Sequence, residues 1–469
     1  MCASRRFSGG SGQPALAWFV VAGLLLATLC NGAGVYLKKT GLMDADAYRA
    51  YWSFHCSTLP LLPSSGAVGT RCCAQATPAE IAQLEASARV RGERAQTRFV
   101  YHTPGAELAL KLAKDAFGLA LLAMSLALLL RKTATLPALS KVWPVALPLA
   151  YAAAAGLASL ALYEPLIAVA GARYFMFFGL ALVGLWLVPH MALLAFAAAA
   201  LLALQVLLMP YEMLRGVHVH GHFHLLPLAG RLGGTLVAPN SLGVFAVCSL
   251  AFWYAFAPSR RWLWLMAFMA LLLVLLGGSG TGMLGLGVFF AMALFERFGA
   301  KHRRLLVIAN GLLLLALVVL LPDLLGRPRL FDSLWGRIGG LGTILADRSI
   351  WSVVFGSGLG VDTNTAGMLV RMLGPEAFPR YAGLPSGVGE SMLASLLVQI
   401  GLVGTLLFYG SLMWAAVRDR QARVFYAVVA ICSLVLQVAE LFPVNFLLGV
   451  ALAHSVAEVL PTRLTASHV

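Results

Sequence analysis

Residues 191–209 read MALLAFAAAALLALQVLLM, and Gln205 is the only polar side chain in the run. A helix of that length crosses a hydrocarbon core about 30 Å thick, at about 1.5 Å per residue. Lipid offers the backbone no hydrogen-bond partners, so a spanning segment must be a helix or part of a closed barrel. The run is too long and too uniformly apolar for a barrel strand. Runs of the same kind recur along the chain, and this repetition decides the fold class.

Composition agrees. Of 469 residues, 60% are hydrophobic and 11% charged, and the mean hydropathy is +0.85. Soluble domains have about 45–50% apolar and about 25% charged residues, so a water-soluble reading is excluded. The formal charge of +15 invites a nucleic-acid reading. Its placement argues against one. Arg5, Arg6, Arg131, Lys132, Lys141, Arg260, Arg261 and the basic segments 297–304 and 418–423 all flank apolar runs. Short loops rich in Lys and Arg mark the cytoplasmic side of a membrane.

The sequence therefore predicts an all-α, polytopic membrane protein with about twelve transmembrane helices and large periplasmic loops, forming a single integral membrane domain over 1–469. The expected spans are 15–36, 108–130, 143–162, 166–187, 191–209, 240–257, 262–277, 281–296, 304–321, 391–416, 424–439 and 443–459. With the N-terminus inside, the short basic loops and both termini fall in the cytoplasm. The first span reads as an uncleaved anchor, because Val35-Tyr36-Leu37-Lys38-Lys39 is no small-residue cleavage site. Loops 38–107, 210–239 and 322–390 fall outside, and long translocated loops escape the positive-inside rule. In an oxidising compartment Cys56 can pair with Cys72 or Cys73 as a structural disulfide, whereas Cys30, Cys248 and Cys432 lie within spans as packing residues and Cys2 is cytoplasmic.

Two stretches carry chemistry. The second outer loop ends in Arg231-Leu-Gly-Gly-Thr235 and Ala238-Pro239-Asn240-Ser241-Leu-Gly243, opening a span. Glycines let backbone approach a ligand, Asn240 or Ser241 can cap the helix, and its N-terminal amides attract anions. An ordinary capped helix with an interfacial Arg reads equally well. The third loop contains Asp332-Ser-Leu-Trp-Gly336-Arg337 and Val354-Phe-Gly356-Ser-Gly358-Leu-Gly360, and closes with Gly389-Glu390-Ser391. Glu390 is either a partner of the next helix N-terminus or a general base. Asp332, Asp347, Asp362 and Glu376 compete for the same role. His218, His220, His222 and His224 share one face of an extended segment. They suit Zn²⁺, sugar contacts or no specific role, and Arg215 beside them is equally open.

Taken in order, Arg231-x-x-Gly-Thr-x-x-x-Pro-Asn-x-x-Gly, Gly336-Arg337, the block 355–360, Glu390-Ser391 and Gly401-Leu-Val-Gly404 resemble the O-antigen ligase and polysaccharide polymerase superfamily, over roughly residues 165–440. The resemblance implies a metal-independent, inverting glycosyl transfer without cofactor, from an undecaprenyl-pyrophosphate-linked oligosaccharide to a growing polysaccharide or glycolipid acceptor. Membrane lipids, a chain-length regulator and export proteins are the further partners it implies; nucleic acid is not among them. Carried over by position, Glu390, Arg337 and Arg231 are the catalytic candidates. Arg173, in Gly171-Ala-Arg-Tyr174, joins Arg215, Thr235, Asn240 and Ser391 as a substrate-binding candidate. An intramembrane Arg is costly enough to suggest function, although one near a span end can also snorkel to headgroups.

Two departures stand out. Glu390-Ser391 occupies the place of a His-Asn pair usual in ligases, which favours a repeat-unit polymerase over a ligase. Gly277-Gly-Ser-Gly-Thr-Gly282 lacks the Arg that many members carry in that turn. The rival from another class is a flippase or transporter of lipid-linked glycans. Transporters place charges or broken helices near the midplane, whereas here the mid-span positions read as nearly free of charge.

Overall fold

The computed structural model describes residues 14–41, 105–131, 139–215, 232–236, 238–298, 320, 342, 345–346, 348–361, 363, 365–366, 369, 377–382 and 391–459. The protein is an all-α polytopic membrane protein, and no strand occurs among the described residues. Its helices are α1 (Pro14–Gly41), α2 (Gly105–Leu130), α3 (Leu139–Leu162), α4 (Pro165–Met176), α5 (Leu180–Val183), α6 (Met191–Arg215), α7 (Pro239–Phe256), α8 (Leu263–Leu276), α9 (Gly280–Phe298), α10 (Ile350–Phe355), α11 (Pro379–Ala382), α12 (Met392–Arg418), α13 (Arg423–Ser433) and α14 (Val444–Val459).

Among the described residues, six stretches are long and apolar enough to cross a membrane: Ala15–Tyr36, Ala109–Leu130, Ser140–Leu162, Leu185–Glu212, Pro239–Phe256 and Met392–Arg418. Each matches an expected span to within a few residues, apart from the fourth, whose leading 3₁₀ turn (Leu185–His190) runs into α6. The span expected over 304–321 lies outside the described residues except for Leu320.

Burial sorts the helices into layers. Nearly every residue of α7 is buried, and α8, α9, α6 and α13 pack around it. Facing aromatic rings, including Phe252 with Phe425 and Tyr254 with Phe289, fill this centre. The α1–α2 pair and α3 lie at the periphery, where α2 exposes Leu112, Leu119 and Leu126. That spacing of seven makes one stripe along a helix, facing lipid. Gly118, Leu121 and Ser125 form the opposite, buried stripe.

Two expected spans are not continuous helices. Residues 165–190 run as α4, a turn, α5 and the 3₁₀ turn Leu185–His190, and residues 434–443 form an irregular link holding the 3₁₀ turn Val438–Glu440. Apolar composition does not register such interruptions. In the second, a side chain takes up a freed backbone group, Asn445 Nδ2 donating to the Ala439 carbonyl at 2.9 Å; the first is tied to α2 by Trp186 Nε1 donating to Ser125 Oγ at 3.0 Å.

A third interruption lies within α12, where Gly401 adopts φ +65° and ψ −173°. The carbonyls of Val398 and Gln399 turn away from the helix and accept Ser357 N at 2.7 Å and Gly358 N at 3.1 Å. The glycine block of the third loop thus docks into a broken helix. Gly360 N donates to Gln399 Oε1 at 3.0 Å, Leu359 N to Ser159 Oγ at 2.6 Å, and Tyr163 OH to the Ser357 carbonyl at 2.8 Å. A small second core of Ile167, Val361, Ala366, Phe378, Tyr381 and Val398 seals the loop onto α4 and α12.

At the opposite end of α12, Asp419 terminates the helix and is 2% exposed. Its Oδ1 accepts Ala422 N at 3.0 Å, while Oδ2 meets His454 Nδ1 at 2.7 Å and accepts Ser455 Oγ at 3.0 Å. This end also carries Arg418, Arg420 and Arg423, and Gln421 ties it to α7 through the Ala255 carbonyl at 2.8 Å. It is the basic end of the molecule; the end bearing the docked loop is the loop end.

Candidate functional site

The polar side chains at the loop end converge from five places in the sequence, one of them Thr365 of the third loop. On α2, Lys114 precedes Gly118, Leu121 and Ser125 by four, seven and eleven residues, so it shares their inward face. Asp115 follows it. Helix α4 contributes Arg173 in its last turn, where the helix dipole favours a cation, and Tyr174 beside it. The start of α12 supplies Ser391 and Ser395, and the irregular link after α13 supplies Gln437 and Glu440.

Asp115 and Arg173 form a two-pronged ion pair, with Nε on Oδ1 at 2.8 Å and Nη2 on Oδ2 at 2.9 Å. Parallel N–H···O bonds of this kind fix the guanidinium plane. Arg173 Nη1 donates to Thr365 Oγ1 at 2.7 Å, and Thr365 Oγ1 donates to Glu440 Oε1 at 3.3 Å. The third loop is therefore latched to both α4 and the post-α13 link. Two of the five guanidinium N–H donors are left over by these contacts. Deeper in, Tyr174 OH donates to Gln437 Oε1 at 3.0 Å, and Gln437 Nε2 donates to the Ser391 carbonyl at 3.0 Å and to Ser395 Oγ at 2.7 Å. This second network pins the N-terminus of α12 against α4.

Ser391 is the residue that starts α12: its Oγ accepts Ala394 N at 3.1 Å. Replacing it with alanine is expected to cost about 1 kcal/mol, while Ser391→Asp retains the cap. Thermal unfolding of the detergent-solubilised protein checks this; an unchanged transition for the alanine variant would dismiss the cap.

The glycine turn of the second loop has a different fate from the one its motif suggested. Gly233 N and Gly234 N both donate to Glu212 Oε2 at 3.1 Å, and Glu212 Oε1 accepts Tyr36 OH at 2.8 Å. Glu212 is fully buried, so the paired amides are filled by the protein's own carboxylate. Gln205 does the same one residue on, accepting Thr235 N at 3.0 Å and donating to Thr235 Oγ1 at 2.7 Å. Gln205, the lone polar residue of its apolar run, thus anchors the loop.

Among the substrate-binding candidates, Arg173 and Ser391 enter the loop-end network, while Thr235 is buried beside Gln205. The expectation that Asn240 or Ser241 caps α7 is corrected: Ala238 is the extended boundary residue and Pro239 begins the helix. Proline has no N–H to cap and is suited to that first position. Asn240 lies in the first turn, its carbonyl accepting Ser279 Oγ at 3.4 Å. Arg215 closes α6, with its side chain outside the described residues. Glu390, Arg337, Arg231, the competing bases Asp332, Asp347, Asp362 and Glu376, the histidines 218–224 and Cys56, Cys72 and Cys73 also lie outside them.

Sequence reasoning passed over Lys114, Asp115, Tyr174, Gln437 and Glu440. For the first two a signal existed: adjacent charges inside an apolar run. For Gln437 and Glu440 none did, because only the broken backbone brings them to the site. Among the described residues, no three His, Cys, Asp or Glu side chains are grouped to hold a metal ion. Compared with known proteins, the chain matches no family model, no curated protein and no solved structure.

Proposed function

We propose that this chain is a metal-independent, inverting glycosyltransferase of the bacterial inner membrane. It joins undecaprenyl-pyrophosphate-linked oligosaccharide repeat units into a polysaccharide at the periplasmic face. The observation that carries this reading is the Asp115–Arg173–Thr365–Glu440 network at the loop end, beside a second network in which Gln437 joins Tyr174 to Ser391, the residue after Glu390. Of the residues that carry the family resemblance, the described block 355–360 and Ser391 lie at this end, opposite the basic end expected in the cytoplasm.

In the proposed step a sugar hydroxyl oxygen of the acceptor attacks the anomeric carbon of the donor, and the bond from that carbon to the pyrophosphate oxygen breaks. The electron pair leaves with the undecaprenyl pyrophosphate, whose growing charge is met by Arg173, Arg231 and Arg337. Glu390 takes the proton of the attacking hydroxyl. A carboxylate with a reference pKa of about 4.3 is a modest base at neutral pH, so positioning contributes much of the acceleration.

One observation favours a second reading, a transporter of the same lipid-linked glycans. The interrupted α12 and the interrupted stretch 165–190 are features that transporters place around their substrates. One experiment separates the readings: cells lacking the gene, complemented with wild type, Arg173→Ala, Arg231→Ala, Arg337→Ala or Glu390→Gln, with membrane levels checked by blot. The polymerase reading expects normally inserted variants, lost polymer and single lipid-linked repeat units accumulating outside. Long lipid-linked chains outside indicate a ligase acting on lipid A core or another acceptor. Repeat units held at the cytoplasmic face indicate transport. Unchanged polymer in every variant sinks the reading altogether.

A further inference from the structure

We propose that Lys114 binds a lipid-borne diphosphate, together with the two N–H donors of Arg173 that its present partners leave over. This rests on the glycosyl-transfer reading above and adds to it a binding residue on a helix outside the span of the family resemblance. Lys114 lies five residues past Ala109, where the apolar window of α2 opens, which places it about 8 Å along the span. Lys114 shares the buried face of α2 with Gly118, Leu121 and Ser125, away from the exposed stripe Leu112, Leu119 and Leu126, and the charge of Arg173 acts on it. A cation at that position needs a reason, because charged side chains inside spans are rare and face partners or watered cavities.

Its surroundings supply electrostatics without contact. Among the described residues, no hydrogen bond or ion pair reaches the Lys114 ammonium, and Arg173, Asp115, Glu440 and Lys111 act on it only through space. Both Asp115 oxygens are engaged by Arg173, and consecutive residues of a helix do not face each other. Glu440 Oε1 is engaged by Thr365. Lys114 is half-buried, and Arg173 is the strongest of the charges that act on it. A flexible ammonium next to a fixed guanidinium edge suits a ligand with several charged oxygens on more than one centre, as a diphosphate has. The depth of the site and the lipid-facing stripe on the same helix suit a ligand whose tail stays in the membrane.

The test uses the full-length protein in zwitterionic nanodiscs and measures binding of undecaprenyl pyrophosphate, with phosphatidylglycerol as the competing anionic lipid. Wild type, Lys114→Ala and Lys114→Arg are compared after matching their thermal unfolding. The expected result is a loss of about tenfold or more in undecaprenyl pyrophosphate affinity for the alanine variant, the scale of one charge-assisted contact, with recovery in the arginine variant and no change for phosphatidylglycerol. Undiminished diphosphate binding by a folded Lys114→Ala overturns the assignment and leaves glycosyl transfer standing. An equal loss for both lipids also overturns it, reducing the site to a general headgroup contact. If wild type prefers neither lipid, the underlying glycosyl-transfer reading fails first.

Discussion

Alanine at Gly360 is expected to strip the third loop from its seat and leave little stable protein in the membrane. The residue sits at φ +90°, and a Cβ there meets the Ile167 carbonyl oxygen at 1.8 Å. No side-chain rotation relieves that contact, because both parties are backbone. On the other side, a Cβ on Gly171 of α4 meets Gly360 N at 2.1 Å, so the two chains touch main chain to main chain. Strain at such a φ costs about 1–3 kcal/mol before any clash is added. The clash then displaces Gly360 N from Gln399 Oε1 and Leu359 N from Ser159 Oγ, leaving buried polar groups unpaired. A combined loss of at least about 4 kcal/mol follows. Fluorescence-detected size exclusion after a heating series measures it. Alanine at Gly410, whose added Cβ meets nothing within 4 Å, serves as the matched control. Unfolding of Gly360→Ala at the wild-type temperature would refute the seat as described.

The second large effect lies at the basic end. Asp419→Ala deletes one carboxylate that serves three donors at once: Ala422 N, Ser455 Oγ and His454 Nδ1. His454 is 7% exposed and packs edge-on against Phe256, so solvent cannot replace the lost partner. Removing one member of a buried pair typically costs about 3–5 kcal/mol, and a large fraction of that is expected here. The turn that joins α12 to α13 is held by the same carboxylate, so it should loosen in the same variant. Trypsin cleavage after Arg418, Arg420 and Arg423 in inside-out vesicles reports on it. Faster cleavage together with a lowered unfolding temperature is the expected pair of results. Resistance equal to wild type would mean that the histidine finds another partner.

Much of the architecture was legible because membrane folding asks a simple question of a sequence. The runs 15–36, 108–130, 143–162 and 391–416 need only length and apolarity to be recognised, and each is a helix in the structure. What stayed hidden follows from the same simplicity. Hydropathy is blind to whether a backbone is continuous, so 165–190 and 434–443 read as ordinary spans although their helices break. The break at Gly401 is written as one glycine among many, and it exists only because Ser357 and Gly358 arrive from far along the chain. Arg173 was legible as a costly charge, yet its partner Asp115 was absorbed into the apolar average of α2. The Gly-Gly turn before Thr235 reads as backbone open to a ligand, and its amides are instead occupied from within the protein. The occupant is the side chain of Glu212, which no local pattern pairs with them.

The interruption of α12 also has a mechanical meaning. An unbroken rod transmits a push from one end to the other, whereas a rod jointed at Gly401 does not. Beyond the joint, the part that reaches Asp419 is clamped by His454 and Ser455; before it, the short part that begins at Ser391 is clamped by Gln437 and the glycine block. A displacement of the part that begins at Ser391 can therefore be absorbed at the joint, leaving the far side of the bundle as a stationary footing.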